Sequence, residues 1–97
     1  MTLEVAEFMV AAAQMADFEA AYGEARKFIL RARGCSSVAL RRCVETPGRY
    51  LLLVTWTSIE AHTRGFRESP DFLEWRKLMG PFFAAPPRVE HFDRVDA

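Results

Sequence analysis

Residues 50–56 alternate across a predicted strand but are apolar on both of its faces. Because successive side chains of a strand point to opposite sides, one face carries Tyr50, Leu52, Val54 and Trp56, and the other carries Leu51, Leu53 and Thr55. A strand that is apolar on both faces is covered on both. The helices of one small domain cover a single face of its sheet, so the second face predicts packing against a second copy of the same sheet.

The same pattern of apolar and polar positions places the other elements. Apolar residues at helical spacing predict a long helix that begins near Asp17 and ends near Arg33, and Ser69-Pro70-Asp71 is a typical helix start. Thr46-Pro47-Gly48 predicts a tight turn between two antiparallel strands. The remaining predicted elements are strands over residues 3–10, 35–45 and 88–95 and a short helix over residues 59–67.

The resulting order is strand, helix, strand, strand, helix pair, strand. Two split βαβ halves in this order form a ferredoxin-like α+β fold, βαββαβ, with a four-stranded antiparallel sheet and helices on one face. We expect a single domain over residues 1–97. Two such sheets packed face to face would form a homodimer, a dimeric α/β barrel with the helices outside.

The short helix carries the main candidate for chemistry. Ser58 is placed to cap this helix, and Ile59, His62 and Phe66 follow at i, i+3 and i+7, so the pattern predicts that they share one face. His62 then points inward among apolar side chains. The ordinary interpretation is a core histidine bonded to a backbone carbonyl; the functional one is a polar group in the wall of a small-molecule pocket.

Composition narrows the classes of function. Thirteen basic and thirteen acidic residues give a formal net charge of zero, which argues against a nucleic-acid partner and against electrostatic membrane binding. No apolar run approaches the roughly 20 residues of a membrane span, and the first residues lack the pattern of a signal peptide, so we expect a cytoplasmic protein. Eight Phe and two Trp are many for 97 residues and predict an interface, a pocket or both.

Cys35 and Cys43 lie in one predicted strand, about 26 Å apart at about 3.3 Å per residue. A disulfide needs Cα atoms within about 7 Å, so we expect two reduced thiols. The sequence has no CxxC motif and no Cys–His cluster, and no metal site is predicted.

Several segments of the chain carry a family resemblance, namely Val54-Thr55-Trp56, Ser58-Ile59-Glu60-Ala61-His62-Thr63, Gly65-Phe66-Arg67, Ser69-Pro70-Asp71-Phe72, Trp75-Arg76, Gly80-Pro81-Phe82-Phe83 and Val89-Glu90-His91-Phe92. With these segments, nearly the whole chain resembles the antibiotic biosynthesis monooxygenase domain of the dimeric α/β-barrel group.

The resemblance implies oxidation by molecular oxygen without metal or flavin, hence no cofactor, on electron-rich aromatic substrates such as anthrones, naphthacenones and quinols. The anion of such a substrate can pass an electron to oxygen itself. The protein then supplies an aromatic-lined cavity and a polar group that holds the anion or takes its proton. His62 is the candidate catalytic residue, and the candidate substrate-binding residues are Trp56, Phe66, Phe72, Trp75, Phe82, Phe83, Tyr22 and Arg64.

The chain also departs from the family's known sites. The polyketide-oxidising members use an Asn, Trp and Tyr set, and this chain has no Asn. The haem-degrading relatives use an Asn on the first strand, where Glu7 and Phe8 stand here, and a His about where Arg76 stands. Haem degradation is therefore disfavoured.

Other functions of this strand and helix order fit less well. The chain lacks the aromatic motif of RNA-recognition domains and the glycine-rich phosphate loop of acylphosphatases. A non-catalytic barrel that binds a small ligand stays open, and an empty rather than plugged interior around His62 would favour the enzyme. We expect His91 at the dimer seam and Arg41, Arg42 and Glu7 as rim charges.

Overall fold

The computed structural model describes residues 1–96. Four strands and two α-helices form its frame, joined by two 3₁₀ turns, Ala12–Gln14 and Gly80–Phe82, and by a π-helical segment, Ala61–Phe66. The main elements are β1 (Thr2–Met9), α1 (Met15–Leu30), β2 (Cys35–Arg42), β3 (Arg49–Trp56), α2 (Pro70–Met79) and β4 (Arg88–Phe92).

The strands form one antiparallel sheet in the order β2-β3-β1-β4, which confirms the predicted ferredoxin-like fold. β1 pairs with β3 from Thr2 opposite Trp56 to Met9 opposite Arg49. Its other edge pairs with β4, with Glu4 opposite His91. No helix within residues 1–96 has the length and apolar character to cross a membrane.

The core lies between the sheet and the two helices. One of the two predicted faces of β3 is the inner one, and its four residues are at most 2% exposed, namely Tyr50, Leu52, Val54 and Trp56. Phe18, Ala25 and Ile29 of α1 pack onto them with Trp75 and Met79 of α2. The period-two pattern of β3 and the helical stripes of α1 and α2 thus meet in a single core.

The opposite face of the sheet is apolar at its centre and is covered by no element of the described chain. Leu53 lies here between Val5 of β1 and Ala39 of β2 in the strand register. Phe92 is 50% exposed at the edge of the same face. Two of the three charges predicted at the rim find partners within the described chain, since Glu7 pairs with Arg49 at 2.7 Å and Arg42 pairs with Glu19 at 2.6 Å.

Three predicted boundaries are wrong, each for a local reason. β4 ends at Phe92 rather than Val95, because Phe92 is already opposite Leu3 and β1 begins at Thr2. β2 ends at Arg42, opposite Tyr50, and the residues up to Gly48 form the turn. Helix α1 begins two residues before Asp17 and ends at Leu30, where the chain turns toward Gly34.

The segment that carries His62 is a π-helix rather than an α-helix. Its backbone is closed by a bond from the Arg67 N–H to the carbonyl of His62, an i→i+5 pattern. Ile59, which precedes the π-helical segment, is 42% exposed, so the predicted three-residue face is wrong for it. His62 and Phe66 remain on the buried side, at 3% and 4% exposure. The Ser58 hydroxyl accepts from the Ala61 N–H, as predicted for the cap.

Gly34 holds this segment against the sheet. Its φ of +91° lies in the left-handed region, and its carbonyl accepts from the Thr57 N–H at 2.8 Å. A Cβ at this position would lie 2.7 Å from both the Cβ of Ala61 and the Oγ1 of Thr57. The absence of a side chain here therefore lets the π-helical segment approach the end of β3.

Candidate functional site

A cavity of about 920 Å³ lies between the sheet, the π-helical segment, α2 and the segment that leads to β4. Its floor is formed by side chains of the sheet and its walls by aromatic and proline side chains. The lining residues that bear on its chemistry are Glu4, His62, Phe66, Arg67, Phe72, Trp75, Arg76 and Phe83. A volume of this size suits a small organic molecule.

Glu4 is a carboxylate in the floor of this apolar cavity. It is 6% exposed, because β1 directs it inward with Ala6 and Phe8. Oε1 of Glu4 accepts a hydrogen bond of 2.9 Å from the indole Nε1–H of Trp56. The same oxygen lies 3.4 Å from Nε2 of His62. Both contacts involve Oε1, so the other carboxylate oxygen is left for the cavity that Glu4 lines.

His62 is fixed by side chains and not by a backbone carbonyl. Its ring stacks on Trp56 with centroids 5.3 Å apart and an angle of 17° between the planes. Nε2 faces Glu4, and Nδ1 lies 2.8 Å from Nε2 of His91. The predicted carbonyl partner is therefore wrong, and both ring nitrogens face titratable groups.

The predicted position of His91 at the dimer seam is wrong. It lies opposite Glu4 in the pairing of β4 with β1, so it points to the helix-covered side and not to the open face of the sheet. It is half-buried on the edge strand, with its ring centroid 5.0 Å from that of His62. Glu4, His62 and His91 thus form a continuous chain of polar groups from the cavity to the edge of the sheet.

Burial shifts the pKa values of Glu4 and His62. Burial lowers the pKa of His62 to about 4, helped by the positive charge of Arg67 and by His91, so His62 is neutral at pH 7. Burial also raises the pKa of Glu4 above its usual value, while the bond from Trp56 and the charge of Arg67 act in the opposite direction. The Glu4–His62 contact is therefore not an ion pair at neutral pH, and its 3.4 Å is long for a hydrogen bond.

Two guanidinium groups stand at the rim of the cavity. Arg67 follows the π-helical segment, Arg76 lies on α2, and both line the cavity while remaining solvent-exposed. Neither is in an ion pair within residues 1–96. This end of the cavity is therefore positive, which favours an anionic group on a bound molecule.

The predicted site residues divide into three groups. The cavity lining includes His62, Phe66, Phe72, Trp75 and Phe83. Trp56 lies fully buried beneath Glu4 and His62, and Phe82 packs edge-on against Phe18. Tyr22 lines a separate, smaller depression beside Glu19 and Tyr50, and Arg64 is exposed outside both.

Four polar residues of the site are not among the predicted ones, namely Glu4, Arg67, Arg76 and His91. By strand alternation Glu4 lies on the same face of β1 as Ala6, Phe8 and Val10. A carboxylate on this apolar face is the sequence signal that could have identified it. The face of β4 on which His91 lies follows only from the strand register, in which Leu3 pairs with Phe92, and the sequence does not give that register.

Within residues 1–96, no three His, Cys, Asp or Glu side chains are arranged to hold a metal ion. Cys35 and Cys43 are both free thiols.

Comparison with known proteins places the chain in a family. The model of the antibiotic biosynthesis monooxygenase family matches residues 1–78. The uncharacterised protein YczJ of Bacillus subtilis (strain 168) is 40% identical over 79 residues, 81% of this chain and 83% of that protein. A crystal structure from Bordetella bronchiseptica that carries the family's name is 48% identical with a TM-score of 0.93, covering 97% of this chain and 96% of that one.

The fold extends to a more distant structure. SnoaB from Streptomyces nogalater, a cofactor-independent oxygenase, is 21% identical with a TM-score of 0.80, covering 99% of this chain and 94% of that one. The segment that the family model matches, residues 1–78, includes β1 with Glu4 and the π-helical segment with His62, whereas His91 lies beyond it. The chain belongs to the antibiotic biosynthesis monooxygenase family.

Proposed function

We propose that this protein is a monooxygenase that uses molecular oxygen without a cofactor on an electron-rich aromatic substrate of the quinol or anthrone type. Family membership supports oxygenase chemistry, and SnoaB, which shares the fold, is a cofactor-independent oxygenase. The observation that carries the proposal is the open, aromatic-walled cavity with one buried carboxylate in its floor.

The cavity provides stacking surfaces for a flat ring system. Phe66 and Phe72 meet edge to face with centroids 5.6 Å apart, and Trp75 and Phe83 complete the aromatic walls. Aromatic walls bind a polycyclic or quinol ring through dispersion and offset stacking. They also exclude water, which would otherwise compete for the substrate anion.

Glu4 is the group that takes the substrate proton in this proposal. Each ring nitrogen of His62 already faces a protein group, whereas Glu4 has a carboxylate oxygen left for the cavity. Burial makes this carboxylate a stronger base than one in water, which suits a weakly acidic substrate. His62, the catalytic residue predicted from the sequence, then acts on Glu4 through its 3.4 Å contact and not on the substrate.

The reaction balances with oxygen as the only co-reactant. An activated substrate CH₂ or a phenolic O–H loses a proton to Glu4, and the resulting carbanion or phenolate gives one electron to O₂, forming a substrate radical and superoxide. Their combination makes the C–O bond of a peroxide, which takes the proton back. Loss of a second substrate proton and cleavage of the O–O bond then release water and leave a C=O group.

The rim arginines stabilise the anionic stage. A phenolate or enolate oxygen placed toward Arg67 and Arg76 would meet two guanidinium groups that are not in ion pairs within the described chain. Charge stabilisation at the point where the anion forms lowers the barrier to proton loss. We therefore expect substrates that carry an acidic hydroxyl next to the oxidised carbon.

The test is oxygen uptake with a panel of quinols and anthrones. Wild-type protein should consume oxygen faster than the spontaneous reaction, and Glu4→Gln should lower kcat by about 100-fold, since Gln keeps the size and the oxygen acceptor but not the base. His62→Ala should lose at least about 10-fold. Glu60→Gln, an exposed carboxylate just before the π-helical segment, is the matched control.

The outcomes separate enzyme from binding protein. Uptake unchanged by Glu4→Gln would reject Glu4 as the base. Uptake no faster than the spontaneous rate across the panel, together with saturable binding of the same aromatics, would favour the alternative, a non-catalytic barrel that binds a small aromatic ligand.

A further inference from the structure

We propose that His91 is the outer end of a proton relay that carries protons to and from Glu4 through coupled tautomer shifts of His62 and His91. The proposal rests on the proposed function only for the use of Glu4 as a base. The relay itself is a property of three side chains in the substrate-free protein, so its test needs no substrate.

The contacts define two arrangements that both satisfy the described polar atoms. In the first, Glu4 is ionised, Nε2–H of His62 points to Oε1 of Glu4, and Nε2–H of His91 donates to Nδ1 of His62 across 2.8 Å. In the second, Oε1–H of Glu4 donates to Nε2 of His62, Nδ1–H of His62 donates to Nε2 of His91, and His91 carries its proton on Nδ1.

The two arrangements differ by one proton, and each step between them is balanced. A proton joins Nδ1 of His91, the Nε2 proton of His91 moves to Nδ1 of His62, and the Nε2 proton of His62 moves to Oε1 of Glu4. The reverse sequence removes the proton from Glu4. Both imidazoles begin and end neutral, and only their tautomers change.

The relay has to work with His62 neutral, because burial disfavours a positive charge on this ring. It is 3% exposed and its pKa is lowered to about 4, so a path through an imidazolium at this position is unfavourable near neutral pH. A concerted tautomer shift avoids that state. The one long contact, 3.4 Å between Nε2 of His62 and Oε1 of Glu4, must shorten by about 0.3 Å to reach ordinary hydrogen-bond length.

The relay gives Glu4 a route to the outside that does not cross the cavity. An aromatic ligand that fills the cavity would cut Glu4 off from water, whereas His91 is half-buried on the edge strand. The other ionisable groups around Glu4 are Arg67 beside the π-helical segment, Arg76 of α2 and Cys35 of β2. Neither arginine links Glu4 to the sheet edge, and Cys35 bonds to the carbonyl of Ser37.

The experiment follows the ¹⁵N resonances of the histidines and the ¹³C carboxyl resonance of Glu4 from pH 4.5 to 9 in the ligand-free protein. We expect His62 to exchange tautomers with the same midpoint as Glu4 and to stay neutral through that midpoint. In His91→Phe, which keeps a ring but no nitrogens, Glu4 should still titrate while the tautomer change of His62 with that midpoint is lost.

Glu90→Gln, on the opposite face of the same strand, is the matched control and should keep the coupled midpoint. A His62 that keeps one tautomer throughout the titration of Glu4 would overturn the proposal, as would a His62 that becomes an imidazolium at that midpoint. Near-UV circular dichroism establishes that each variant is folded. Failure to find oxygen uptake would leave the tautomer result intact, so the two proposals fail separately.

Discussion

Trp56 donates a 2.9 Å hydrogen bond from its indole Nε1 to Oε1 of Glu4, a carboxylate 52 positions away in the sequence and 6% exposed. The two residues lie on adjacent strands, and His62 stacks on the same indole. A buried ionised carboxylate with one good hydrogen-bond donor lowers the stability of the folded protein more than one at the surface does. Such destabilising groups are common at functional sites. The Trp56–Glu4 bond therefore connects the stability of the core to the chemistry of the cavity.

Glu4→Gln is expected to make the protein more stable at pH 8. Burial raises the folded-state pKa of Glu4, so the ionised side chain costs stability above that pKa and nothing below the unfolded value of about 4.5. Gln keeps an oxygen for Trp56 and removes the charge. The gain should be about 0.5–2 kcal/mol at pH 8 and disappear as the pH falls below 4.5, measured by urea unfolding. A variant less stable than wild type at pH 8 would mean that the contacts of the carboxylate outweigh its burial.

His62 is expected to make stability fall as the pH is lowered from 6.5 to 4. The unfolded histidine takes up a proton near 6.5, whereas the folded one does so only near 4, so in this window the unfolded state binds more protons. Above pH 6.5 both states hold His62 neutral, so it does not change the free energy of unfolding. By pH 4 it has lowered the free energy of unfolding by up to about 3 kcal/mol.

His62→Phe, which retains a ring to stack on Trp56, removes this titration. The difference in unfolding free energy between wild type and variant, measured by urea at several pH values, should therefore shrink or change sign toward pH 4. Parallel curves for the two proteins would show that His62 titrates normally in the folded state.

The fold follows from the sequence more completely than the site does. The alternation along β3 and the Ser69-Pro70 helix start are local signals, and both are confirmed, by the burial of one face of β3 and by the Ser69 cap on the Phe72 N–H. The pairing of His62 with His91 is not local, because it depends on the register of β4 against β1. The sequence gives no signal for the π-helical turn either, since His62 and Phe66 are also neighbours in an α-helix, and the backbone bond from Arg67 to the His62 carbonyl is what distinguishes the two.

The open sheet face is expected to hold two copies of the chain together. Leu53 stands at the centre of that face, flanked by Val5 and Ala39. Leu53→Glu places a charge there and should convert a dimer of twice 11.1 kDa into monomers, as measured by light scattering at micromolar concentration. Leu73→Glu, a change of the same kind at a 59% exposed position on α2, should leave the dimer intact. Wild-type protein that is monomeric at this concentration would contradict the double-sheet arrangement.

Gly34→Ala is expected to destabilise the protein, whereas Gly23→Ala should not. Gly34 combines a φ of +91° with a Cβ position 2.7 Å from Ala61, so an added methyl group meets both backbone strain and the start of the π-helical segment. The cost should exceed about 1 kcal/mol in urea unfolding. Because Ala61 adjoins His62, the shift should also alter the ¹⁵N resonances of that histidine.

Gly23 is the matched control for this change. It lies within α1, and a Cβ there has no atom within 4 Å. Ala is the better helix former, so Gly23→Ala should raise the free energy of unfolding by about 0.5–1 kcal/mol and leave the His62 resonances where they are. Equal effects of the two substitutions would mean that the close approach of Gly34 to the π-helical segment does not hold His62 in place, and that the cavity wall is fixed instead by the stacking of His62 on Trp56.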